Sequence, residues 1–149
     1  MIWVLTAVLL WLAFNLASSY APLLLAERIS PGRLPAELLA RGEARRVRFY
    51  VGETRISYGF SAWAPPCWTV VVFNRQFFRR APPELVRFVV AHELGHAAEN
   101  HHVWRWFAVT SGAILFPFVR RALARQEETA DAYALRLTGF KREFFEQLK

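Results

Sequence analysis

Residues 89–97 read Val-Val-Ala-His-Glu-Leu-Gly-His-Ala, which sets three ionisable side chains, His92, Glu93 and His96, into an otherwise apolar run. Two imidazoles and a carboxylate are costly to bury without partners. A helix resolves the conflict. Residues four apart lie one turn apart on one face, so His92 and His96 can grip a single metal ion with Glu93 beside them. The HExxH pattern thus predicts a helix and a zinc site together. Two histidines do not complete such a site, and a third ligand must come from elsewhere in the chain.

The chain's 149 residues suit one domain with a real core. Its 54% hydrophobic content, with six Trp and thirteen Phe, fits a membrane neighbourhood. A net charge of +7, carried mostly by arginine, suits anionic lipid, nucleic acid or a solvated surface. The single cysteine, Cys67, excludes an intramolecular disulfide and a cysteine-pair metal knuckle, and reads as a small semi-buried residue.

Residues 2–26 carry no charge and are numerous enough to cross a bilayer. They read as a membrane anchor rather than a cleaved signal, because no basic residue precedes them and Pro22 sits just after the only small-residue site. Arg28, Arg33, Arg41, Arg45, Arg46 and Arg48 follow, which places the next segment in the cytoplasm by the positive-inside rule. The expected organisation is a single-pass anchor at 1–28 and a zinc-binding domain at 29–149.

Pro31-Gly32 marks a break, and residues 34–40 predict a short helix stopped by Gly42. Residues 46–51 alternate charged and apolar side chains as a half-buried strand does. Residues 59–68 read as irregular, with Gly59 and Pro65-Pro66 as breakers, and 69–73, Thr-Val-Val-Val-Phe, form the best strand. Its place just before HExxH leaves two readings open, an edge able to pair with an extended peptide or an ordinary core strand. Pro82-Pro83-Glu84 opens the motif helix, which should run to about Asn100, with Leu85, Val89, His92 and His96 on one face.

Residues 103–119 are strongly apolar but contain Arg105 and Pro117 and fall short of a span. If a ligand beyond them joins the histidines, both ends must lie on the same side of the bilayer, so a single crossing is forbidden. The expectation is a helix or re-entrant element against the membrane or the core, with Arg120, Arg121 and Arg125 able to meet lipid phosphates. Residues 122–138 predict a helix ending at Gly139, and 141–148 a last short one.

Three residues compete for the third ligand position. His102 stands where an HExxHxxGxxH metzincin places its third histidine, but Glu99 occupies the glycine position, and the only methionine is Met1. Glu127 and Glu128 lie on the following helix. Glu127 precedes Asp131, the only aspartate, by four residues, so one carboxylate can bind metal while the other holds a ligating histidine. Glu128 has no such companion.

The segment 92–96, His-Glu-Leu-Gly-His, followed by Glu127-Glu128-Thr129-Ala130-Asp131-Ala132-Tyr133-Ala134 and Leu137-Thr138-Gly139, resembles the gluzincin metallopeptidases. The likeness is greatest to the membrane-associated HtpX-like and CAAX-prenyl-protease-like family, in a minimal form, over roughly 47–139. The resemblance implies an α+β, zincin-like fold, with a small sheet packed on the HExxH helix and a following Glu-x-x-x-Asp helix. It implies one zinc ion held by His92, His96 and Glu127, Glu93 as general base, Asp131 orienting His92, and a polypeptide substrate. Larger members carry several membrane spans and a longer insertion between the motifs. The Asn-Ala that members often show before the edge strand is not evident near 58–60. Tyr133, Arg125, Arg136 and His101 stand open as oxyanion donors.

The function expected is a membrane-anchored zinc endopeptidase. The alternative is a non-catalytic membrane-binding or regulatory module that keeps zinc for stability, which would more often close its site with four protein ligands. Nucleic acid is not an expected partner, because the arginine clusters flank apolar stretches and lipid phosphate is nearer.

Overall fold

The structure, a computed structural model, describes residues 2–24, 26–29, 33–53, 58–64, 68–140 and 143, with side chains at all of these except 15, 16, 18–24, 59–64 and 68. The Pro31-Gly32 break, Cys67 and, but for residue 143, the expected helix at 141–148 lie outside it.

Six α-helices and four strands are described. They are α1 (Ile2–Leu24), β1 (Glu27–Arg28), α2 (Ala36–Ala44), β2 (Val47–Gly52), β3 (Gly59–Ala64), β4 (Trp68–Asn74), α3 (Arg75–Arg80), α4 (Pro83–Ala98), α5 (His101–Thr110) and α6 (Pro117–Thr138). The sheet order is β1-β2-β4-β3, with β2 and β4 parallel and the other two pairings antiparallel. In β2, Val47, Phe49 and Val51 are buried while Arg48 is exposed, the alternation of a strand covered on one face. Residues 69–73 of β4 are buried throughout, as befits an inner strand.

That inner position decides between the two readings of 69–73 in favour of the core strand. β3 flanks β4 on the outside, register Ser61 opposite Val71, so β3 is the terminal strand. Residues 59–64, expected to be irregular, are thus a strand: Gly-Phe-Ser-Ala-Trp-Ala lacks a period-two alternation and borders a double proline, which hid it. Pairing with β4 makes it a strand.

Gly42 does not stop α2, which continues to Ala44; the chain turns at Arg46, in the left-handed region at φ 57°. A Cβ at Gly42 would come 2.7 Å from Cε2 of Phe49, so this glycine serves close packing against β2. The unanticipated α3 is capped by Asn74, whose side chain accepts from the backbone N–H of Gln76 at 2.9 Å and of Phe77 at 3.2 Å.

α4 begins at Pro83 and ends at Ala98, close to expectation, and contacts β3, α2, α5 and α6. Val86, Phe88, Val90, Ala91, Leu94 and Ala97 are buried on it, joining Leu38, Phe49, Val71 and Phe73 in the core. Asn100, at φ 53°, then turns the chain into α5.

The apolar stretch at 103–119 is three pieces: the end of α5, a 3₁₀ turn at Ala113–Leu115 and the start of α6. Gly112, at φ 72°, makes the bend that a continuous helix would forbid. α6 therefore starts at Pro117, earlier than the expected 122, and ends at Gly139, also at φ 72°. Among the described residues, no helix is long and apolar enough to cross a membrane.

Candidate metal centre

α4 presents His92 and His96 on one face, and α6 packs beside it, bringing Glu127 and Asp131 to the same place. Close approach of the two helices depends on Gly95, where a Cβ would lie 3.0 Å from the Cα of Ala130 and 3.1 Å from the Cβ of Tyr133.

Nε2 of His92 and Nε2 of His96 are 3.0 Å apart, and Oε2 of Glu127 lies 3.3 Å from the first and 3.5 Å from the second. Among the described residues, these three form the group able to hold a metal ion. A tetrahedral ion with donors at about 2.0–2.1 Å has edges of roughly 3.3–3.4 Å, so the triangle has the right size.

The hydrogen bonds agree. Nδ1–H of His92 donates to Oδ1 of Asp131 at 2.8 Å, leaving a lone pair on Nε2. Nδ1 of His96 is 3.0 Å from Nδ1 of His101; with His96 as donor, its Nε2 also carries a lone pair. Two lone pairs and a carboxylate oxygen then converge on one point, an arrangement that a cation satisfies. Burial lowers the His96 pKa to about 4, against the charge of Glu93 and with help from His92, so its imidazole is neutral at physiological pH as a ligand must be.

Glu93 projects beside the histidines and is only 7% exposed. Its Oε2 is buried and lacks a hydrogen-bond partner among the described residues. A buried carboxylate oxygen without a donor has a job that the folded chain alone does not supply.

Sequence reasoning brought together His92, His96, Glu127 and Asp131, and the structure places all four in contact. His102 is elsewhere: its Nε2 lies 3.0 Å from Oγ1 of Thr69, tying α5 to β4, and burial lowers its pKa to about 4. Of the open oxyanion candidates, His101 is engaged with His96, Arg125 and Arg136 are exposed, and Tyr133 is half-buried against the core.

The reading missed Arg105. Its guanidinium Nη2 donates to Oε1 of Glu127, the oxygen facing away from the histidines, and burial lowers its pKa against the charge of Glu93. The available signal was a lone arginine in an apolar helix, one turn after His101.

Paired imidazoles, a carboxylate ligand on the next helix and a buried free carboxylate are the equipment of a metallopeptidase. The sequence pattern of peptidase family M48 matches residues 57–138, more than half of the chain, and the chain belongs to that family. Comparison with curated proteins finds no match.

Proposed function

We propose that this M48 peptidase is a membrane-anchored zinc endopeptidase of the HtpX-like and CAAX-prenyl-protease-like kind, with His92, His96 and Glu127 as zinc ligands and Glu93 as general base. The observation that carries this reading is the unpartnered Oε2 of Glu93 beside three converging donors.

His92, His96 and Glu127 would hold the zinc ion, which when bound would supply Lewis acidity toward a peptide carbonyl and a water of pKa about 7. Oε2 of Glu93 accepts a proton from the attacking water and hands it to the nitrogen of the leaving amine. Asp131 holds Nδ1–H of His92, and His101 meets Nδ1 of His96, so each imidazole keeps its Nε2 aimed at the site. Arg105 holds Oε1 of Glu127 and thereby orients Oε2. As the terminal strand in contact with α4, β3 suits an extended polypeptide adding alongside it.

The three-donor set, with no fourth protein group in it among the described residues, supports a catalytic site over a zinc-stabilised module. The anchor reading draws on the uncharged residues 2–26 of the sequence. Exposed Ile2, Trp3, Leu9 and Phe14 accord with it. The arginines from Arg28 onward argue for a cytoplasmic catalytic domain.

Glu93→Gln is the test. It should keep stoichiometric zinc and lose about 10²–10⁴-fold in cleavage of an unfolded protein such as casein. Unchanged cleavage would sink the assignment.

A further inference from the structure

Large apolar side chains left exposed are concentrated. Among the described residues, all of those most exposed, except Tyr58, fall on α1 or between Trp104 and Phe118. The second group comprises Trp104, Phe107, Val109, Leu115, Phe116 and Phe118, from 51% to 81% exposed. Scattered single exposures need no explanation, but a contiguous set does.

This set is built by the fold. On α5, Trp104 and Phe107 are one turn apart and exposed, whereas His101, His102 and Ala108 are buried. Gly112 and the 3₁₀ turn then break the helix, and Leu115, Phe116 and Phe118 form an exposed apolar tip between α5 and α6, with the rings of Phe116 and Phe118 stacked at 5.7 Å. Behind the tip, the first turns of α6 expose Arg120, Arg121 and Arg125.

Charge identifies the occupant. Residues 100–126 contain four arginines and no acidic residue. An apolar tip backed by the exposed Arg120, Arg121 and Arg125 complements an anionic bilayer: hydrocarbon receives the rings and headgroup phosphates meet the guanidinium groups. α5 also packs on β3, a strand that α1 contacts as well.

From these observations we infer that the turn between α5 and α6 is a second membrane-docking element, which dips into the interface of an anionic bilayer without crossing it. Because this turn joins the helix bearing Arg105 to the helix bearing Glu127, docking holds the metal centre against the membrane surface. The inference deepens the membrane reading above and is independent of the chemistry at Glu93.

The test uses the full chain carrying Cys67→Ser and Leu115→Cys, labelled with the polarity-sensitive fluorophore nitrobenzoxadiazole, with a second reporter at Glu43→Cys on α2 as control. It is reconstituted with vesicles of equal parts phosphatidylcholine and phosphatidylglycerol, and vesicle flotation reports anchoring separately. The reporter at 115 should shift to the blue and be quenched by doxyl-labelled lipid, while the one at 43 stays aqueous. Replacing Arg120, Arg121 and Arg125 with glutamine should lower partitioning of this face on the order of 100-fold, since each arginine contributes roughly fivefold. Sodium chloride titration of the unsubstituted reporter reads the same contribution if that variant fails to fold. A reporter at 115 that stays aqueous while the chain floats overturns the inference and leaves the anchor standing. A chain that does not float at all overturns both. Burial of the reporter without vesicles, with dimerisation, assigns the face to a second copy instead. Insertion that is equal on phosphatidylcholine alone overturns the anionic-headgroup assignment.

Discussion

At the scale of single residues, the metal centre is a set of lone pairs with their directions enforced from behind. Asp131 enforces His92, His101 meets His96, and Arg105 grips the far oxygen of Glu127. Partners of this kind tune metal affinity by about 10–100-fold. Arg105→Ala should therefore lose zinc affinity in that range, measured by competition with a zinc-binding dye, while its far-ultraviolet circular dichroism is unchanged. Asp131→Asn should weaken zinc similarly, because an amide cannot hold the Nδ1–H tautomer of His92 as a carboxylate does. Wild-type affinity in either variant would show that the contact does not orient its ligand. Asp131 was legible in the sequence because four-residue spacing puts it on the same helical face as Glu127. Arg105 was not, because its contact joins two helices whose packing the local pattern does not encode.

Among elements, the decisive contact is α4 against α6, and Gly95 sets its distance. Gly95→Ala should push on Ala130 and Tyr133, destabilising the chain by roughly 1–3 kcal/mol, the usual cost of overpacking. A lowered melting temperature together with weakened zinc binding is the expected result, since Glu127 and Asp131 ride on the displaced helix. An unaltered melting temperature would mean that the helices part at no cost. α4 was readable almost to its ends, because a proline start, an apolar circumference and HExxH all agree. The sheet was less so. Whether β4 was an edge or a core strand stayed open, because its neighbour, β3, has a sequence that becomes a strand only by pairing. The stop of α2 was misassigned for a related reason: Gly42 looks like a helix terminator, but its missing Cβ makes room for Phe49.

For the molecule as a whole, burial of imidazole links stability to pH. His96 and His102 are both held to about 4 by burial, and burial lowers His101 as well. In the unfolded chain these groups titrate near 6.5, so between about 6.5 and 4 the unfolded state binds more protons than the native one. Stability should therefore be full above that window and fall as pH drops through it. Urea unfolding of chelator-treated protein should show a lower midpoint at pH 5 than at pH 7.5, with part of the difference removed in His102→Gln. Equal midpoints would contradict the burial of neutral imidazole.

The sequence alone determined which candidate groups stand together: HExxH and Glu-x-x-x-Asp each place their groups on one face of a helix, and helical periodicity is a local property. Only the tertiary structure decided which strand is the edge, that Arg105 grips Glu127, and that 103–119 breaks at Gly112. Each of these is set by which surfaces meet when the elements pack, and packing joins residues that no periodicity connects.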